Sequence, residues 1–290
     1  LHGTDLDRTD DGATEVLRYK PERRLVVRVP SAVGPIVLKV SGGPYDAAMW
    51  HELSDRMADA GVPLVQELAD GECAAHGVRA TAAWGAGDLL EFPAADTAFR
   101  AGTGLAALHG CVRADDGLWQ RIGSRAGPDQ LVAQLLAVQA MVGVLVPELG
   151  DAAARLTSRL STALDGFERH GQEVLVHGDF SADQILVSGD EVRIIDFDQV
   201  STGERAADLG SFAAAEEIAV RRSDGLGPRN LTTSFLDGYR HAGGEVVPGR
   251  VELWLAHRLF MASMDPFRDR HPAWRTETSW HLQRALELLG

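Results

Sequence analysis

The stretch from Val174 to Val200, VLVHGDFSADQILVSGDEVRIIDFDQV, limits the folds open to this chain more than any other. Its two short apolar runs, Ile185 to Val187 and Val192 to Ile195, are separated by the turn Ser188-Gly189-Asp190, a spacing that a tight β-hairpin satisfies. Carboxylates stand at the open end of that hairpin. Asp179 lies in the loop after the preceding apolar run, Asp183 four residues on, and Asp196 with Asp198 where the second strand ends. Closing the hairpin brings Asp179 and Asp196 close together. Two carboxylates converging at strand exits suit a divalent metal and a phosphoryl group, because Mg²⁺ prefers oxygen ligands and a transferred phosphate carries charge that must be neutralised.

Upstream, three β-type runs, Glu15 to Tyr19, Leu25 to Val29 and Ile36 to Val40, predict an antiparallel meander after a polar lead-in over residues 1–13. Strand alternation puts Lys39 on one face with Val37, while Leu38 and Val40 take the other, so one face of this strand must reach a cleft or solvent. Pro44 predicts the opening of a helix with Met49, Leu53 and Met57 at four-residue spacing, closed by Gly61. Short strands follow at Leu64 to Leu68 and Val78 to Trp84, then Gly85-Ala86-Gly87-Asp88, where a lobe boundary is expected. The remainder reads as mainly helical. Predicted helices span Asp96 to His109, Pro128 to Val142 and Leu149 to His170, then Ala206 to Arg221, Asn230 to Ala242, Arg250 to Met264 and His271 to Leu289. His109, at a helix end beside Gly110, reads as an end cap interacting with the helix dipole.

With 290 residues, 45% of them hydrophobic, the chain can bury the core that two lobes need. Its formal charge of -14, from 28 Lys and Arg against 42 Asp and Glu, argues against a nucleic-acid backbone as ligand and is compatible with a cationic one. Cys73 and Cys111 fit neither a disulfide framework nor a zinc site, so a reducing cytoplasm is the expected compartment. The most apolar stretch, Val132 to Val146, carries Gln134 and Gln139 and reads as a buried helix, with no membrane span expected.

His177-Gly178-Asp179, Gln184 five residues later, and Ile195-Asp196-Phe197-Asp198 together resemble the catalytic and metal-binding segments of the aminoglycoside phosphotransferase family, small-molecule relatives of the protein kinases. The family pattern is H-G-D-x-x-x-x-N, a strand, then I-D-[FW]-[DE]; this chain departs from it only in carrying Gln184 for the Asn. The resemblance implies an α+β, two-lobed protein-kinase-like fold, with a nucleotide-binding lobe over residues 1–87 and a catalytic and substrate lobe over 88–290. It implies transfer of the γ-phosphate of ATP or GTP to a hydroxyl of a small molecule, with Mg²⁺.

The same resemblance assigns roles to residues. Asp179 is the expected catalytic residue, receiving or orienting the acceptor's hydroxyl proton, and Asp196 and Gln184 are the expected metal ligands. Lys39 is expected to hold the α- and β-phosphates and to pair with Glu52, whose alternative is a surface pair with Arg56. Asp208 is expected to stiffen the catalytic loop. Where relatives often carry a glycine-rich loop, the first turn here has no glycine; Lys20, Arg23 and Arg24 supply charge there, or form a solvated basic turn. Acceptor candidates are Glu216, Glu217, Asp265 and Glu277 for a cation, and Trp254, Trp274 and Trp280 for a ring. Two other classes stay open: a pseudokinase that binds nucleotide or a partner without fast transfer, which Gln184 would allow, and a metal-dependent phosphohydrolase built on His177, Asp179, Asp196 and Asp198.

Overall fold

A computed structural model describes residues 14–21, 24–32, 34–41, 46–68, 77–124, 127–164, 173–223 and 230–290. The expected lead-in over residues 1–13, Arg23, Pro44, Cys73 and the end of the helix predicted to reach His170 lie outside the described residues.

The meander is present. Strands β1 (Glu15–Lys20), β2 (Arg24–Val29), β3 (Ile36–Ser41) and β4 (Val78–Ala82) form an antiparallel sheet in the order β1-β2-β3-β4. Between β3 and β4 lies helix α1 (Ala47–Asp59), started by Asp46, whose carboxylate accepts the Met49 amide at 2.9 Å. Leu53 and Met57 are fully buried on its inner face, as their spacing predicts. The expected strand at Leu64 to Leu68 is instead a crossing segment. It makes one bridge to Ile194 through Leu64 and another to Thr81 through Glu67, because it passes from the hairpin to the sheet and cannot pair along either.

Past Trp84 the chain becomes part of a second sheet. The Ala86 amide donates to the Val187 carbonyl at 2.8 Å, and β5 (Gly87–Asp88) pairs with β7 (Ile185–Ser188), which in turn pairs with β8 (Glu191–Ile194). β6 (Val174–Val176) pairs with β9 (Ser201–Gly203). Around them stand α2 (Ala95–Gly110), α3 (Gly117–Ile122), α4 (Pro128–Leu145), α5 (Gly150–Leu164), α6 (Arg205–Arg222), α7 (Leu231–His241), α8 (Pro248–Ala262), α9 (Asp265–Arg268) and α10 (Trp274–Leu289). The six-residue α3 had no periodicity to announce it; Asp116 starts it by accepting the Leu118 amide at 2.8 Å.

Two apolar cores hold this assembly. The first runs from Trp50, Leu53 and Met57 of α1 through Leu105 and Leu108 of α2 to the hairpin and to Phe180, Phe212 and Phe235. The hairpin is therefore buried against both lobes, which fixes the carboxylates at its open end. The second joins α4, α5, α8 and α10 through Leu135, Leu156, Leu259, Phe260 and Leu282. α2 and α7 cross at backbone contact, because Gly102 faces the Phe235 carbonyl and Gly238 the Phe99 carbonyl where a Cβ would overlap both. No helix among the described residues is long and apolar enough to cross a membrane.

Candidate active site

The β-meander register decides what faces the cleft. Lys39 stands opposite Val26 on one side and Arg79 on the other, and Arg24, Val26 and Arg28 alternate along the same face of β2. Arg24, Arg28, Lys39 and Arg79 all line a cleft of about 590 Å³ that the Trp84–Asp88 segment closes on one side and Asp183, Gln184 and Ile195–Phe197 on another.

Three of these cations meet the carboxylates of the motif, Arg79 only at 3.7 Å from Asp198 Oδ1. Lys39 Nζ lies 2.6 Å from Asp196 Oδ1 and 2.5 Å from Asp198 Oδ2. Arg24 Nη1 donates to both oxygens of Asp196, at 2.9 and 3.0 Å, and to Asp198 Oδ2 at 3.2 Å. Burial works against ionisation of Asp196, but the charges and hydrogen bonds of Lys39 and Arg24 outweigh it and hold the carboxyl down at about 2. Asp196 sits in the left-handed region at φ 65°, ψ 49°, a conformation that costs a non-glycine residue on the order of 1–3 kcal/mol and is concentrated at functional sites.

Asp208, fully buried in the first turn of α6, ties down the loop that carries Asp179. Its two oxygens accept the backbone amides of His177 at 2.7 Å and Gly178 at 2.9 Å. Burial pushes its carboxyl upward, but the hydrogen bond and charge of His109, with His177 and the Gly178 amide, hold it below the ordinary value. His109 is thus not the expected helix-end cap. Its ring is buried between Asp208 Oδ2, at 3.1 Å, and the Tyr239 hydroxyl, at 2.7 Å, because the last turn of α2 is packed into the core. Gly178 has φ 84°, and a Cβ there would strike the Gln199 carbonyl, so the loop accepts glycine alone without distortion. His177 Nε2 lies 2.9 Å from the Ile195 carbonyl and its ring packs on Phe180 and Phe197, linking the two motif segments. Asp179 pairs with Arg258 of α8, whose Nη2 lies 2.8 Å from Oδ1.

Gln184 is buried, with its backbone carbonyl accepting the Ile195 amide at 3.0 Å, which sets it beside Asp196. Its Nε2 lies 3.4 Å from Asp183 Oδ2. Among the described residues no group of three or more His, Cys, Asp or Glu is arranged to hold a metal. A carboxylate and an amide, both oxygen donors lining one cleft, fit Mg²⁺, which binds through one or two protein ligands together with substrate phosphates and water.

A second cavity, of about 280 Å³, opens beside Gly178 and Arg258, the neighbour and the partner of Asp179. Leu131, Leu164, Val176, Trp254 and Met261 supply its apolar walls. Glu204, which also lines it, is held by Arg250 at 2.7 and 2.5 Å and by the Trp254 indole at 2.8 Å. The hydroxyl of Ser201, on the same wall, is buried and has no hydrogen-bond partner among the described residues.

Compared with known families, residues 12–255 match the model of the phosphotransferase enzyme family. The chain belongs to that family. No curated protein matches it. Among solved structures, the fold of this phosphotransferase is similar to a choline/ethanolamine kinase family protein from Mesorhizobium loti, with TM-score 0.64, 21% identity, and coverage of 96% of this chain and 88% of that one. It is similar to a spectinomycin phosphotransferase solved with ADP and spectinomycin, with TM-score 0.67, 13% identity, and coverage of 95% and 92%. An amicoumacin kinase solved with AMP-PNP and Ca²⁺ gives TM-score 0.67, 12% identity, and coverage of 95% and 87%. At these identities the likeness establishes the two-lobed, protein-kinase-like α+β fold.

One expected pairing of the phosphotransferase is absent. Glu52 does not meet Lys39, nor Arg56: its Oε2 lies 2.6 Å from Arg121 Nη1, and Arg56 pairs with Asp116. The reason is helical phase. With Trp50, Leu53 and Met57 turned into the core, Glu52 falls roughly a third of a turn outside that face, at about 100° per residue. In this structure α1 presents Trp50 to the site. Its indole donates to Glu67 at 2.7 Å, carries the Arg79 guanidinium 3.8 Å above its ring, and packs on Phe197.

The acidic acceptor candidates are engaged elsewhere. Glu216 accepts the Leu231 and Thr232 amides, Glu217 pairs with Arg284, Asp265 with Arg268 and Glu277 with Arg221. Of the three tryptophans only Trp254 lines the cavity. Arg258 and the Arg250–Glu204 pair escaped notice in the sequence, since charged residues on a helix ordinarily face solvent and no spacing marks them out. Arg24 was visible only as one of several basic residues near a turn.

Proposed function

We propose that this phosphotransferase moves the γ-phosphate of ATP or GTP onto a hydroxyl of a small molecule, with nucleotide in the larger cleft and acceptor in the smaller cavity. One observation carries this reading: the loop that bears Asp179 runs from one space to the other, Gly178 and the Asp179 partner Arg258 lining the smaller and Asp183 and Gln184 the larger. In this reading residues 1–87 form the nucleotide lobe, residues 88–290 the catalytic lobe, and the Ala83–Gly87 backbone passes the base.

Lys39 binds the phosphates, while Asp196 and Gln184 would hold Mg²⁺, which when bound neutralises phosphate charge. Glu52, paired with Arg121, has no part in holding nucleotide. Asp179 receives or orients the acceptor's hydroxyl proton. Arg258, at 2.8 Å from Oδ1, holds the carboxylate in place for this. The contribution is mainly positional, because phosphoryl transfer is loose and needs little covalent help. The acceptor is a compact hydroxylated molecule with an apolar body; a positive charge on it would be drawn to exposed Glu173 and the Trp254 ring. A cytoplasmic, reducing compartment fits Cys111, which is free and whose thiol burial pushes up to about 12.

The test is Asp179→Ala, followed by single-turnover transfer from labelled ATP over a panel of hydroxylated compounds. Loss of transfer by about 10²–10⁴-fold with ATP binding retained is expected. Full turnover in the variant would remove Asp179 from the reaction, and a wild type that binds ATP but transfers to nothing would support the pseudokinase alternative.

A further inference from the structure

We propose that Arg24 is a phosphate-binding residue, a side-chain clamp on β2 that serves where a glycine-rich loop would offer backbone amides. The inference rests on the nucleotide reading of the larger cleft. The segment that joins β1 to β2 holds Pro21, Glu22 and Arg23 and no glycine, the residue whose missing side chain lets backbone amides approach a phosphate closely. Register places Arg24 on the same sheet face as Lys39, and both side chains reach the Asp196–Asp198 pair.

In the resting site Arg24 and Lys39 both contact Asp196 and Asp198, and Arg79 is shared between Glu67, at 2.7 Å, and Asp198, at 3.7 Å. Arg24 grips both oxygens of Asp196, the carboxylate that would hold the metal. Metal and guanidinium therefore compete for the same oxygens. A nucleoside triphosphate brings the metal together with new acceptors beside it, so Arg24 can move from carboxylate to phosphate while keeping a charge-assisted partner. Arginine suits the exchange because its fork matches carboxylate and phosphate geometry equally. Lys20, on the strand opposite, adds to the demand for an anion: its ammonium is pushed below its ordinary value first by the charge of Arg18, then by burial and Arg24.

The consequence is a pair of effects of opposite sign. In Arg24→Gln, ATP should bind about 10- to 100-fold more weakly, the loss growing from AMP to ADP to ATP, while adenosine stays within about twofold. Mn²⁺ offered without nucleotide should bind a few-fold more tightly, because one of the two cations that compete for Asp196 is gone and only Lys39 remains. Arg24→Lys should keep part of the ATP affinity, holding a charge without the fork. Calorimetric titration with these five probes, alongside the ligand-free melting curve of each variant, makes the measurement. A merely structural Arg24 would weaken adenosine, ATP and Mn²⁺ together, and that result, or unchanged ATP binding in Arg24→Gln, overturns the proposal while leaving the nucleotide site standing. A wild type that binds neither ATP nor adenosine refutes the nucleotide reading itself and this inference with it.

Discussion

Asp208→Asn changes one atom at the most deeply placed carboxylate of the site. The wild-type oxygens accept the amides of His177 and Gly178, and His109 approaches Oδ2. An asparagine keeps one acceptor and turns an NH₂ group toward a backbone N–H or the imidazole. One charge-assisted hydrogen bond, worth about 1.5–3 kcal/mol, is lost, and a buried donor is left unsatisfied, so the variant should be destabilised by about 2–4 kcal/mol. At ~2.1 cal/mol/K of unfolding entropy per residue, a chain of this length has about 0.6 kcal/mol/K, and the melting temperature should fall by roughly 3–7 °C.

The pH dependence follows from the direction of the shift. The folded carboxyl lies below its ordinary value of 3.8, so its contribution is present above that value and is lost as pH falls through the lower, folded one. The gap between variant and wild type should therefore be full at pH 7 and close in acid. Thermal unfolding by circular dichroism from pH 7 to pH 3 reads both effects. With the loop slackened, kcat should fall while KM for ATP holds on the proposed reading, since Asp208 touches the loop that carries Asp179 and does not line the larger cleft. A variant melting within about 1 °C of wild type at pH 7, or a gap that widens toward pH 3, would refute the tether.

Other substitutions probe separate parts of the site. Glu52→Ala should cost under about 1 kcal/mol and leave ATP affinity unchanged, because its partner Arg121 is on the surface; a loss matching that of Lys39→Ala in a binding titration would restore Glu52 to the nucleotide site. Arg250→Met strands Glu204 as a buried, unpaired carboxylate and should destabilise by about 3–5 kcal/mol in urea unfolding, with much of it recovered in the double variant with Glu204→Gln. Gln184→Asn should bind Mn²⁺ at least as tightly as wild type by paramagnetic resonance; a large loss at an unchanged melting point would mean that the site has been rebuilt around the longer side chain.

Much of the molecule was legible from local pattern. The meander, α1 and its buried stripe, the hairpin from Ile185 and most of the C-terminal helices follow from short-range periodicity, and periodicity is a property of neighbouring residues. The family motif could be read for the same reason, its residues being a few positions apart on one loop and one hairpin. Asp208 could be placed by resemblance as a brace for the loop that carries Asp179, and the structure has it accept the His177 and Gly178 amides of that loop.

Residue type and order alone therefore determined the fold class, the carboxylate cluster and the chemistry it suits. The partners of each charge were decided only when the elements packed. Lys39 lies opposite Asp196 and Asp198, 157 residues away from the first, while Glu52, on the neighbouring helix, is turned aside by the phase that buries Trp50 and Leu53. Asp179 meets Arg258 from a helix with no motif, and Arg24 reaches Asp196 across 172 residues. Ion pairing depends on distance in space, and distance in space is set by which apolar faces find each other, so the choice of electrostatic partners belongs to the tertiary structure.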